Sequence, residues 1–439
     1  MKIIKENTRP GFIRYRMLAF LFINVVINYM DRTNISVAAT ALTKDFNLSS
    51  VQLGLIFSAF GWTYMGLQIP GGVLTDHLGA RLLYTLSLIG WSFSTLLQGF
   101  VNGFAMLFGL RLLTGALEAP AYPINNRVVT GWFPDNERAS AISVYTSGQY
   151  IGLALLTPVM TAIQYYLSWR GLFIITGSVG IVWGVIWYLF YRDPSKHKQV
   201  RKSELDHIEK GGGMINYEPG KTSSEKSKFT WKNLREVFSH RKLWGVYLGQ
   251  FALNSTLWFF LTWFPIYLVK YRGLNFIKTG FLASIPFLSA FAGVLLSGFL
   301  SDFLVKKKVS PDIARKAPVI TGLLLSAAIV GANYVNSPTL IILFMSIAFF
   351  GNGVASITWV FVSLMAPKHL IGVTGGAFNF IGNMAPVTVP FIIGYLVRNG
   401  NFEPALIFVS MMAVFGMCCY LFIVGKIERV TIKDKSGVV

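Results

Sequence analysis

Charge is scarce in this chain. Only 13% of its 439 residues are Asp, Glu, Lys or Arg, whereas a water-soluble protein carries about 25%. So few charges cannot cover the surface of a soluble chain this long, and a mean hydropathy of +0.54 points to a solvent other than water. Cysteine is almost missing: Cys418 and Cys419 stand side by side in an apolar run, which gives neither a disulfide framework nor a metal spacing. The five histidines form no His-Glu-x-x-His pattern, so no metal site is expected. No Gly-x-x-x-x-Gly-Lys-Ser/Thr loop is present to hold nucleotide phosphates, and no Gly-x-Ser-x-Gly turn to present a nucleophile. ATP drive, resident cofactors and enzyme chemistry are therefore not expected. Acidic residues number 19 against 39 basic ones. The basic residues fall between apolar runs rather than on one amphipathic face, so a nucleic-acid partner is not expected either.

What the chain has instead is long apolar runs. A bilayer core about 30 Å thick takes roughly 20 helical residues to cross. Twelve runs meet that length, near 17–40, 51–75, 80–101, 103–130, 138–164, 169–191, 242–270, 278–303, 316–335, 338–366, 371–397 and 403–426. They are too long and continuous for the strands of a membrane barrel. The first begins near Met17 and contains Asp31 and Arg32, unlike a cleavable leader. Placing the N-terminus inside puts 31 Lys and Arg residues on the inner side and six on the outer. That asymmetry predicts a multi-pass inner-membrane protein with both termini cytoplasmic.

The long polar stretch 192–241 divides the chain into six-helix halves, 1–191 and 242–439. A turn repeats between them. Gly72 and Asp76 precede Arg81 after the second run; Gly298 and Asp302 precede Lys306 after the eighth. Parallel repeats of this kind predict a site at the bilayer midplane between the halves. Asp76, Arg81 and Asp302 are candidate gating contacts; a simple helix-end role is the alternative for the two acids.

These turns resemble the signature turn of the major facilitator superfamily. Further segments narrow the resemblance: Asn28 to Asn34; Phe57 to Tyr64 and Gln68 to Gly72; Arg111, Glu118 to Pro120 and Asn125 to Arg127; Tyr145 to Gln149; Gly245 to Gln250; Phe349 to Gly353; Ala355 to Trp359; and Gly375 to Asn379. Together they are similar to the anion:cation symporter branch, whose members carry hexuronates, aldarates and other organic anions. The resemblance covers nearly the whole chain. It implies an all-α integral membrane fold of twelve helices in two pseudo-symmetric halves, working as a monomer. It also implies proton-coupled uptake of a sugar acid: a galactonate-type hexonate, an aldarate or a hexuronate. Sodium coupling and a channel are the other transport readings.

Few ionisable residues lie deep in the runs, and such residues face a partner or a water-filled cavity because lipid cannot solvate them. Arg32 is the candidate substrate ligand, since a guanidinium stays charged and grips a carboxylate through parallel hydrogen bonds. Arg111 precedes Glu118 by seven residues and so shares a helix face with it. Asp31, Glu118 and Arg111 are the candidate proton-coupling set, because burial and a nearby guanidinium act oppositely on a carboxyl group's hold on its proton. Sugar hydroxyls need polar partners. Tyr29, Tyr64, Gln149, Gln250, Ser356, Thr358 and Asn379 are the candidates, with Trp359 as an apolar wall. Each also has a plain packing or helix-bonding role as its alternative.

Overall fold

The computed structural model describes residues 11–215, 231–367 and 370–430, and every regular element among them is helical. The first run is one helix, α1 (Ile13–Asp45). The second and third share α2 (Ser50–Gln98), which reverses at Gly79. Gly79 sits at φ 75°, a region that a residue without Cβ enters freely. The glycine after Asp76 is thus what lets the chain turn between two spans.

The fourth run is broken into α3 (Phe104–Glu118) and α4 (Ala121–Trp132). The break falls at Pro120, whose missing N–H leaves the Ala116 carbonyl without its helical donor. The fifth and sixth runs share α5 (Asp135–Phe190), parted at Ser168 with φ 64°. The polar stretch holds the short helices α6 (Lys202–Lys210) and α7 (Trp231–Ser239).

The second half follows with α8 (Arg241–Thr262), which runs through the single turn α9 (Phe264–Ile266) and bends by 54°. Next come α10 (Phe276–Lys306), α11 (Pro311–Ser326) and α12 (Pro338–Val354). A 3-10 turn over Ala355–Thr358 joins α12 to α13 (Trp359–Met365). The chain closes with α14 (Ile371–Gly382), α15 (Ala385–Leu396) and α16 (Glu403–Cys418).

Among the described residues, eight helices are long and apolar enough to cross a membrane, or nine with the bent pair counted as one. The reversals inside α2 and α5 turn those two elements into four spans. All twelve runs expected from hydropathy are therefore present as helix. Large apolar side chains such as Ile69, Phe281 and Phe299 point outward, as lipid-facing surfaces require.

Contacts group the chain into two compact units. One comprises Met1–Asn34, Trp62–Leu153 and Leu167–Ser224; the other comprises Ile35–Gly61, Ala154–Tyr166 and Glu225–Val439. The stretches 35–61 and 154–166 thus pack with the later helices. Phe57 meets Trp263 edge to face at 5.4 Å, and Phe60 lies 5.9 Å from Trp258.

In the first unit α6 is fastened to the start of α1. Glu204 is fully buried and accepts from the Arg14 backbone N–H at 3.1 Å, capping the first turn. The Arg14 guanidinium then reaches Glu137 at 3.0 Å. In the same unit, a Cβ on Gly71 would stand 3.0 Å from the Pro120 Cα. Glycine there lets α2 approach the break between α3 and α4, directly beside Glu118.

Candidate substrate and proton site

The break at Pro120 places Glu118 on the last turn of α3, inside the first unit. Arg32 of α1 comes to meet it: Nε donates to Glu118 Oε1 at 2.6 Å, and Nη2 lies 2.5 Å from the same oxygen. Both side chains are almost wholly buried. The Arg32 guanidinium lies over the rings of Tyr29 and Tyr64, 4.8 Å from each centroid. Aromatic faces attract a desolvated cation, so the two tyrosines hold the charge in place. Tyr122, which no sequence motif marks, directs its hydroxyl to that of Tyr29 at 3.4 Å.

Asp31 points to a different neighbour. Its Oδ2 accepts from Trp91 Nε1 at 3.1 Å, and the Asp31 backbone carbonyl accepts from Arg111 Nη1 at 3.3 Å. Arg111 and Glu118 both face the interior on α3, as their seven-residue spacing predicts. Asp31, Arg32, Arg111 and Glu118 therefore form one buried group of two acids and two guanidiniums. Nothing in the sequence marked Trp91 as the partner of Asp31, because a tryptophan in an apolar run reads as packing. Gln149 lies half-buried on α5 in the same unit.

The second unit has a polar cluster of its own. Thr358 donates to Gln250 Oε1 at 2.7 Å. Gln250 Nε2 approaches Asn254 Oδ1 at 3.4 Å, and Asn254 donates to the Gly382 carbonyl at 2.9 Å. Helix breaks position these groups: Thr358 and Ser356 sit in the 3-10 turn between α12 and α13, and Gly382 ends α14. Ser356 and Asn379 are half-buried. Trp359 is 49% exposed and packs its ring 4.9 Å from Phe378. Asn254 was missed; its spacing one turn beyond Gln250 was the available signal.

The gating candidates divide. Arg81 donates twice to the Tyr188 carbonyl, at 3.0 and 2.8 Å, and stacks on that ring at 4.2 Å. It ties the second arm of α2 to the end of α5. The side chains of Asp76 and Asp302 lie outside the described residues.

Comparison with known proteins follows the same lines. The model of the Major Facilitator Superfamily matches residues 21–390. The D-galactonate transporter of Escherichia coli O6:H1 is 50% identical over 98% of this chain and 100% of its own length. A probable galactarate/D-glucarate transporter of Escherichia coli K12 is 41% identical over 97% of this chain and 96% of its own. Among solved structures, a bacterial homologue of the human lysosomal transporter Spinster superposes with a TM-score of 0.76 at 18% identity, covering 94% of this chain and 97% of that one. With its twelve helical spans and matching family model, this chain is a membrane transport protein and not an enzyme, and it belongs to the Major Facilitator Superfamily.

Proposed function

We propose that the protein is a proton-coupled symporter that imports a sugar acid, D-galactonate or a related hexonate, by alternating access. The observation that carries this reading is the buried pair of Arg32 and Glu118 between two tyrosine faces. Together with Asp31 and Arg111 the pair makes four charged side chains that sum to zero. An arriving carboxylate would leave that apolar surrounding one charge out of balance, and lipid cannot compensate it. A proton taken up by Glu118 restores neutrality and frees Arg32 for the substrate. Asp31 is the second proton acceptor, and Arg111 holds its backbone in place. Anion and proton then move together because neither is favourable alone.

Gln250, Thr358, Ser356, Asn379 and Gln149 supply partners for the hydroxyls, and Trp359 lies against the carbon chain. The D-galactonate transporter at 50% identity supports the choice of a hexonate. An aldarate is the second reading, supported by the relative at 41% identity and by Arg111, a second guanidinium for a second carboxylate. No cofactor enters this scheme beyond the co-transported proton. Halves 1–191 and 242–439, the joining segment 192–241, an inner-membrane location, cytoplasmic termini and a working monomer complete the proposal. The basic residues, 31 on the inner side against six, support the orientation.

Competition uptake in proteoliposomes tests the reading. D-Galactonate should accumulate under an inward proton gradient, and unlabelled aldonates should compete better than aldarates or uronates. Glu118→Gln combined with Asp31→Asn should end accumulation. Undiminished accumulation by that double variant would remove the coupling scheme.

A further inference from the structure

A second polar layer lies beside the charged group, and the roles above leave it unused. Asn24 stands seven residues before Asp31, Tyr84 seven before Trp91, and Asn125 seven beyond Glu118. Seven residues span about 10 Å of helix. Successive spans joined by short connections alternate in direction, so α1 and the second arm of α2 run away from the end where the chain begins and α4 runs back towards it. All three offsets therefore point the same way, to the end that carries the start of α1 and the turn at Gly79. Asn28 lies between the layers, one turn before Arg32, and faces Glu118.

These four side chains are buried, none more than 2% exposed. The Tyr84 hydroxyl faces the amides of Asn24 and Asn125. Asn24 Oδ1 accepts from Trp183 Nε1 at 2.6 Å. Beyond the contacts of Tyr84 with the two amides and of Asn28 with Glu118, Asn24 Nδ2, both polar atoms of Asn28, the Tyr84 hydroxyl and Asn125 Oδ1 make no well-aligned hydrogen bond. The same holds for Glu118 Oε2 and Asp31 Oδ1. Buried polar atoms left unpaired are costly, and natural interiors rarely tolerate a cluster of them. Bound water, which takes about three hydrogen bonds per molecule, satisfies such a cluster.

We propose that Asn24, Asn28, Tyr84 and Asn125 hold a file of bound waters that leads the proton from Glu118 towards the end of the bundle where the chain begins. The inference rests on the symport reading. The proton leaves Glu118 Oε2 for the first water, and the reformed carboxylate pairs again with Arg32. Each water and the Tyr84 hydroxyl accepts one proton on one side and passes one on from the other, and the file returns to its starting state once each has turned back. Asn24, Asn28 and Asn125 are positioning residues that orient the waters. Arg32, Arg111 and Asp31 are the charged groups facing Glu118, and Tyr145 is the further titratable group facing Tyr84.

The test compares two rates in proteoliposomes with D-galactonate as solute. Net uptake under a proton gradient requires proton release at every turnover; counterflow exchange at equal pH does not. Tyr84→Phe keeps the ring, and Asn125→Leu keeps the approximate volume. Each should lower net uptake about tenfold relative to counterflow, equivalent to one decade in the rate of the release step. In wild type, D2O should slow net uptake more than counterflow. Equal losses of both rates, or an unchanged ratio, would overturn the relay. Should Asn125→Leu fail to insert, Tyr84→Phe and the isotope comparison decide the matter. Wild type that ignores the proton gradient would end the symport reading and the relay with it. Wild type that follows the gradient while the variants keep its ratio would end the relay alone.

Discussion

Arg32 and Glu118, 86 positions apart in the chain, meet through two nitrogens on a single oxygen: Nε and Nη2 of the guanidinium both lie against Oε1. The parallel two-bond geometry that a guanidinium offers a carboxylate is therefore not used up by Glu118. A substrate carboxylate that engages both nitrogens in parallel makes the better match. Under the proposed symport, this geometry lets the pair stay closed until a solute carboxylate arrives.

Arg32→Lys keeps the charge but loses the fork, and its ammonium cannot span Tyr29 and Tyr64 as a flat cation does. Losing one of two charge-assisted hydrogen bonds, about 1.5–3 kcal/mol, should raise the apparent KM for D-galactonate by roughly ten- to a hundredfold. Initial-rate uptake against solute concentration reads it. A KM equal to wild type would mean that Arg32 does not touch the solute.

Thr358→Val removes the hydroxyl that donates to Gln250 at 2.7 Å without much change of volume. Gln250 Oε1 then loses its partner, at a cost of about 1–3 kcal/mol where no water replaces it. Transport should weaken mainly through KM, about tenfold, while a solute lacking one hydroxyl loses less. Measuring D-galactonate against its deoxy analogues checks this. Equal losses for every solute would assign Thr358 to helix packing alone.

Twelve spans were legible because a bilayer imposes a length on every apolar run, and composition alone reveals it. Two of the helix breaks were half legible: Pro120 announces one, and the bend after Trp263 has Pro265 beside it. The 3-10 turn at Ala355–Thr358 has no proline or other local signal, since it depends on neighbours in the fold. The charged residues were visible as rarities, yet the pairing was not. Spacing along one helix links Arg111 to Glu118, whereas Arg32 to Glu118 and Gln250 to Thr358 are separated by 86 and 108 residues. Periodicity carries no information across such intervals. The partnering of Trp91 with Asp31, and of Asn24, Tyr84 and Asn125 with one another, was invisible for the same reason.

Glu204 anchors α6 to the start of α1, accepting from Ile13 and Arg14 backbone N–H groups at 3.4 and 3.1 Å while fully buried. Glu204→Ala leaves the 4%-exposed Arg14 guanidinium with one acid fewer. Breaking a buried pair costs about 3–5 kcal/mol, so the thermal midpoint in detergent should fall by several degrees. Glu204→Gln keeps an acceptor oxygen for the capping bonds and should fall less. A melt of Glu204→Ala that coincides with wild type would show α6 to be dispensable.

Close helix packing in the second unit gives the last expectation. A Cβ on Gly353 would stand 2.2 Å from the Ala290 carbonyl oxygen, so α10 and α12 would have to separate. Backbone cannot yield as a flexible side chain can, and overpacking of this kind costs about 1–3 kcal/mol. Gly298, also on α10, has nothing within 4 Å of its missing Cβ, and alanine favours a helix over glycine by about 1 kcal/mol. Gly353→Ala should therefore lower the thermal midpoint, and Gly298→Ala should leave it unchanged or raise it. The contrast between the two variants is the test, because both make the same chemical change. Matching melts would mean that the approach of α10 to α12 has room that the geometry denies.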